Sequence, residues 1–163
     1  MFSIGDKIVY PMYGAGVIED IQEKVIDGKT QNYYVMQIPV GNLKIMVSTE
    51  KAKNDGLRPV YTKEEVLDIL NIQTELKSTN TQENWNQRNK ENLEKIKTGQ
   101  LLRVLEVYRN LIYREREKGL SSAEKKILTT VKQIILSELI VTQGVNKPEA
   151  EEMLVESFLN CCK

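Results

Sequence analysis

The sequence predicts an α+β protein in two parts: a small, strongly bent β-barrel over residues 1–58 and a compact all-helical bundle over 65–163, joined by a connector at 59–64. Three observations carry this. Short β-branched and aromatic runs alternate with dense turn signals in the first 60 residues. The apolar period then changes from two to three-and-four after "NDGLRPVYT". From there on, helix starts and stops recur to the C-terminus.

In chain order, "KIVYP" (7–11) reads as a first strand ended by Pro11. "GVIEDIQEKVI" (16–26) alternates roughly, and Asp27-Gly28 is a two-residue hairpin signal leading into "QNYYVMQI" (31–38). Gly41-Asn42 offers another tight turn before "LKIMVS" (43–48), where Leu43, Ile45 and Val47 share one face and Lys44, Met46 and Ser48 the other. Gly5, Gly14 and Gly16 suit turns with positive φ, and Tyr10 and Tyr13 are aromatics better suited to the core than to the surface. An exposed strand edge here is a docking platform for another protein, with Lys24 and Lys44 as rim charges.

Thr62 and Glu65 form a capping box before a short helix carrying Val66, Ile69 and Leu70. The polar stretch 78–82 reads as a mobile loop. Leu93 and Ile96 precede a break at Thr98-Gly99; Leu101, Val104, Leu105, Tyr108, Leu111 and Ile112 then form one helical stripe. Gly119 stops that helix, and Ser121 with Glu124 caps the next, which carries Ile127, Leu128, Val131, Ile134, Ile135 and Leu139. A last helix starts near Asn146 with Pro148 in its first turn.

Composition narrows the function classes. There is no histidine, which removes the commonest general base and metal ligand. "YGAGVI" lacks the third glycine and the following helical pattern of a nucleotide loop, so enzyme chemistry and a cofactor are not expected. No apolar run approaches the length of a membrane span, and the adjacent Cys161 and Cys162 read as free thiols, so a cytoplasmic protein is expected. Net charge is zero, yet residues 83–132 hold twelve basic and seven acidic side chains, a local +5. Such a block fits either a polyanion contact or a solvated helical surface.

Within that block stands Trp85, the only tryptophan, in "STNTQENWNQRNKENLEK". Arg88 and Lys95, and Lys90 and Lys97, are each seven apart, which gives two basic rows on one helix. An exposed indole there can press against bases while the cations hold phosphates. The other reading, favoured by the area an aromatic buries, puts the ring in the bundle core or the interdomain seam. Lys125 and Lys126, with Lys132 beyond them, form a second phosphate-contacting group if the turn at Gly119 brings their helix start beside Trp85.

"GDKIVYPMYGAGVIEDI", "NWNQRNKENLEKIKTG" and "REREKGLSSAEKKIL" together resemble the CarD/CdnL family of bacterial transcription regulators, in order and over nearly the whole chain. The resemblance implies a Tudor-like domain that docks on the RNA polymerase β subunit and a helical domain that reaches promoter DNA near the −10 region. It also implies stabilisation of the open promoter complex, with no small-molecule substrate and a nucleoid location through polymerase. Carried over by position, the DNA wedge falls on Trp85, supported by Arg88 and Lys90, with Lys125 or Lys126 on phosphates. The polymerase contact falls on Lys24, Lys44 and Met46, the last at a strand position where relatives can carry arginine. The competing reading is a polymerase-bound adaptor whose helices bind another protein, with Trp85 as the hot spot.

Overall fold

The computed structural model describes residues 2–73 and 85–161. The stretch 78–82 and Cys162 lie outside them. The strands are β1 (Lys7–Tyr10), β2 (Gly14–Ile26), β3 (Lys29–Ile38), β4 (Leu43–Ser48) and β5 (Arg58–Pro59), with a short helix α1 (Thr49–Asn54) before β5. The bundle contains α2 (Lys63–Gln73), α3 (Trp85–Lys97), α4 (Leu101–Glu117), α5 (Ser122–Gln143) and α6 (Lys147–Cys161). No described helix is long and apolar enough to cross a membrane.

The strands pair antiparallel in the order β4-β3-β2-β1-β5. The sheet is not closed, which corrects the expected barrel. Two features account for it. β5 is two residues long and ends in Pro59, which has no N–H to offer a further strand. Helix α1 packs on one face of the sheet instead: its Ala52 is buried among Ile8, Tyr10, Ile18, Tyr34, Met36, Ile38 and Val47. The fold remains a small antiparallel β domain followed by a helical domain.

Asp27 and Gly28 both have positive φ (51° and 76°) between the paired Ile26 and Lys29, the two-residue turn expected from the sequence. A bulge at Glu19 bends β2 and shifts its register against β3. Gly16, expected in a turn, is a strand residue instead; a Cβ there would collide with the Gln37 backbone of β3.

Helix α5 is the central element of the bundle, with Val131, Ile134, Ile135, Leu136 and Leu139 all buried. It also forms the seam with the sheet. The Ala15 N–H donates to Ser137 Oγ at 2.9 Å, and that hydroxyl donates to the Ile134 carbonyl at 2.7 Å. Val9 and Ala15 pack on Val141, while Met12 and Val40, from turns of the β domain, reach into the helical core. Arg58 fastens the same boundary: its Nε donates to the Gly99 carbonyl at 2.8 Å and its Nη2 to both oxygens of Glu138 at 3.1 and 3.2 Å. Tyr10 is buried and Tyr13 is exposed, so the expectation of core positions holds for the first alone. The Tyr10 hydroxyl donates to Asp55 Oδ2 at 2.7 Å, and burial together with that carboxylate pushes its pKa up to about 12.

Candidate nucleic-acid interface

Helix α3 begins at Trp85. One turn later stands Arg88, and four and eight residues beyond Arg88 stand Asn92 and Ile96. All three are buried, at 3%, 0% and 1% exposure. That spacing is one helix face, turned into the bundle. Arg88, expected beside the DNA, is thus placed inside the bundle in the free chain. Its guanidinium instead grips Glu124 of α5, Nε to Oε2 at 3.2 Å and Nη2 to Oε1 at 3.3 Å.

Glu124 is 2% exposed and serves three partners. It is the N3 residue of the capping box that starts α5: the Ser121 N–H donates to Oε1 at 3.4 Å, and the Glu124 N–H donates to Ser121 Oγ at 3.2 Å. Arg114 of α4 adds an ion pair at 3.5 Å from Oε2. Burial alone would push the Glu124 carboxyl up, but the Arg88 hydrogen bond, the Ser121 cap and the Arg88 charge together hold it below its ordinary value. The carboxylate is thus ionised at neutral pH, and it ties the first turns of α3 and α5 to the end of α4.

Lys125 and Lys126 follow Glu124 directly and are exposed, as are Lys90 and Lys132. Glu124, at the start of α5, is bonded to Arg88 in the first turn of α3. Beneath α3, Asn92 has neither amide atom hydrogen-bonded, although the side chain is fully buried. An unsatisfied buried polar group costs roughly 1–3 kcal/mol.

The second predicted group lies on the outer face of the sheet. Cross-strand pairs Val35–Met46 and Gln37–Lys44 put Met46 and Lys44 on one face of β4, an edge strand. Met46 is 43% exposed, and its Sδ lies 3.8 Å from Lys24 Nζ. Lys44 pairs with Glu19 at 3.5 Å, both exposed. Lys24, Lys44 and Met46 therefore form one surface, backed by a row of edge N–H and C=O groups that can pair with a further strand.

Comparison with known proteins assigns both halves. Residues 2–61 match the family model described as the CarD-like/TRCF RID domain, and residues 65–155 match the CarD C-terminal domain. This pairing of a Tudor-like β domain with a helical domain defines a class of transcription factors. The chain belongs to the CarD family. It is 39% identical over 149 residues to the protein of Bacillus subtilis (strain 168) called "Putative transcription factor YdeB", covering 91% of this chain and 97% of that one. Among solved structures, the 72-residue N-terminal domain of Myxococcus xanthus CarD is similar at 25% identity and a TM-score of 0.32, over 36% of this chain and 79% of that one.

Sequence reasoning missed Glu124 as anything but a cap. The signal was present in the four-residue spacing of Arg88, Asn92 and Ile96, which puts the arginine on the face of a core isoleucine. An arginine so placed needs a buried acid.

Proposed function

We propose that the protein binds RNA polymerase through the β4 edge and its neighbouring face, with Lys24, Lys44 and Met46 touching the β subunit, and stabilises the open promoter complex through the helical domain. Trp85 enters at the upstream edge of the transcription bubble near the −10 region, and Lys90, Lys125 and Lys126 meet backbone phosphates. The observation that carries this reading is the Arg88–Glu124 link, since it sets the turn that bears Trp85 against the turn that bears two exposed lysines. Unstacking at a junction whose pairing is already disturbed costs only a few kcal/mol, which an aromatic wedge can offset. Contacts that are mostly to phosphate give weak binding by themselves. Tethering by the β domain raises the effective DNA concentration to roughly the millimolar range, so weak binding is enough.

Two variants separate the two contacts. Trp85→Ala is expected to shorten open-complex lifetime on a promoter in vitro while polymerase binding stays intact. An unchanged lifetime with intact binding would sink the wedge. Lys24→Glu is expected to lower affinity for the β subunit in a pull-down without unfolding the sheet, and retained affinity would exclude Lys24 as a contact.

A further inference from the structure

We infer that Glu124 is the positioning residue for the DNA-engaging end of the molecule, holding the first turn of α3 at a fixed place relative to Lys125 and Lys126. The inference rests on the proposed role of Trp85 but is built from different atoms. A helix N-cap needs one acceptor for a backbone N–H, and a surface carboxylate at N3 satisfies that need. Glu124 goes beyond it. The carboxylate is buried and receives two guanidinium bonds from Arg88 and a longer charge contact from Arg114. Arg88 lies three residues after Trp85, one turn along α3, while Lys125 and Lys126 are the next two residues after Glu124. A planar guanidinium held at two oxygens fixes direction as well as distance, which a lone lysine charge does not.

The surroundings of Glu124 fit positioning rather than plain stabilisation. Asn92, on the same face of α3, is buried with no hydrogen-bond partner for its amide, so the Arg88 pair is the polar tie described on that face. Among the described residues, the charged groups facing Glu124 are Arg88 from α3 and Arg114 from α4, so both cations meet on one buried carboxylate. Losing the anion removes the described acid that joins them, and with it the described ion-pair tie between the first turn of α3 and the α5 start.

Trp85 is the only tryptophan, so its emission reports the start of α3 with no background from other indoles. In the full-length free protein, Glu124→Gln is expected to lower Trp85 fluorescence anisotropy and raise acrylamide quenching while far-UV helicity is retained. Acidification of the wild type is expected to produce the same change as Glu124 protonates, and the change is expected to vanish in Glu124→Gln. With polymerase and promoter, Glu124→Gln is expected to shorten open-complex lifetime several-fold, and to add nothing in a Trp85→Ala background. Should Glu124→Gln fail to fold, Arg88→Met leaves the Ser121 cap intact and is expected to give the same fluorescence change, which Arg88→Lys reverses in part. Unchanged anisotropy and quenching in a folded Glu124→Gln or Arg88→Met protein would overturn the inference, as would an acid response that survives in Glu124→Gln. A fluorescence change with no effect of Trp85→Ala on lifetime would overturn the wedge and leave the positioning role standing.

Discussion

Arg58 is the residue on which the two domains most depend as a charge. Glu138 is 1% exposed and Arg58 supplies the only ion pair it has among the described residues. Burial pushes the Glu138 carboxyl up, and the Arg58 charge and hydrogen bonds offset that in part, so the net direction is upward. Arg58→Ala leaves the acid in a dry seam with no cation and is expected to cost about 3–5 kcal/mol in urea denaturation at neutral pH. The sign of its pH dependence follows. A folded-state pKa raised above the unfolded value means that protons favour folding, so the penalty shrinks as pH falls through the Glu138 titration and is largest above it. Glu124 runs the other way: with its pKa lowered, its contribution is present above the ordinary value of 4.5 and is lost as pH falls below that. Measuring wild type and Arg58→Ala from neutral to acid pH therefore gives converging stabilities. Parallel curves would exclude Glu138 as the group responsible. None of these partners was legible in the sequence, because Arg58–Glu138 and Arg88–Glu124 join residues 80 and 36 apart, and nothing local specifies which acid meets which base.

Elements were far more legible, because their signals are local. Both capping boxes form as read: the Glu65 N–H donates to Thr62 Oγ1 at 3.1 Å, and Ser121 and Glu124 bond reciprocally. β4 and the turn at Asp27-Gly28 fall where alternation and turn chemistry put them. What escaped was short: α1 and β5 have six and two residues, too few for any period to show. The β2–β3 hairpin has a property that the pattern did not announce. Val25 is 70% exposed and Ile26 48%, so the end of the hairpin stands free of the rest of the sheet and is held by its ladder and its turn. Placing a β-branched side chain at the positive φ of Gly28 costs roughly 1–2 kcal/mol. Gly28→Val is therefore expected to speed amide exchange along residues 22–33 while leaving the global unfolding midpoint within about a degree or two, since local opening does not require the core to open. A large fall in the midpoint would show that the hairpin end is part of the cooperative core.

At the scale of the molecule, the seam decides whether the β4 face and the lysine-bearing start of α5 move together. The sequence showed two domains and a connector but not their union, since Gly14 and Ser137 are distant in sequence and meet only after both domains exist. Gly14 has φ +117°, and a Cβ there would lie 2.5 Å from Ser137 Oγ. Glycine thus meets two demands, a backbone conformation that other residues avoid and the close approach of β2 to α5. Met12 and Val40 of the β domain sit in the helical core, so separating the domains exposes apolar surface on both sides. Wild type is accordingly expected to unfold in one transition, with far-UV circular dichroism and Trp85 emission superimposing. Ser137→Ala strands the Ala15 N–H, a buried donor, at a cost of about 1–3 kcal/mol, and is expected to weaken that single transition. Gly14→Val prevents the approach itself and is expected to split unfolding into two steps and to raise the radius of gyration in X-ray scattering. On the proposed function it is also expected to shorten open-complex lifetime in the polymerase assay, because a helical domain on a loose tether loses part of its effective concentration at the DNA. A Gly14→Val protein that splits its unfolding yet keeps the wild-type lifetime would show that the tether alone suffices and that the rigid seam serves stability only.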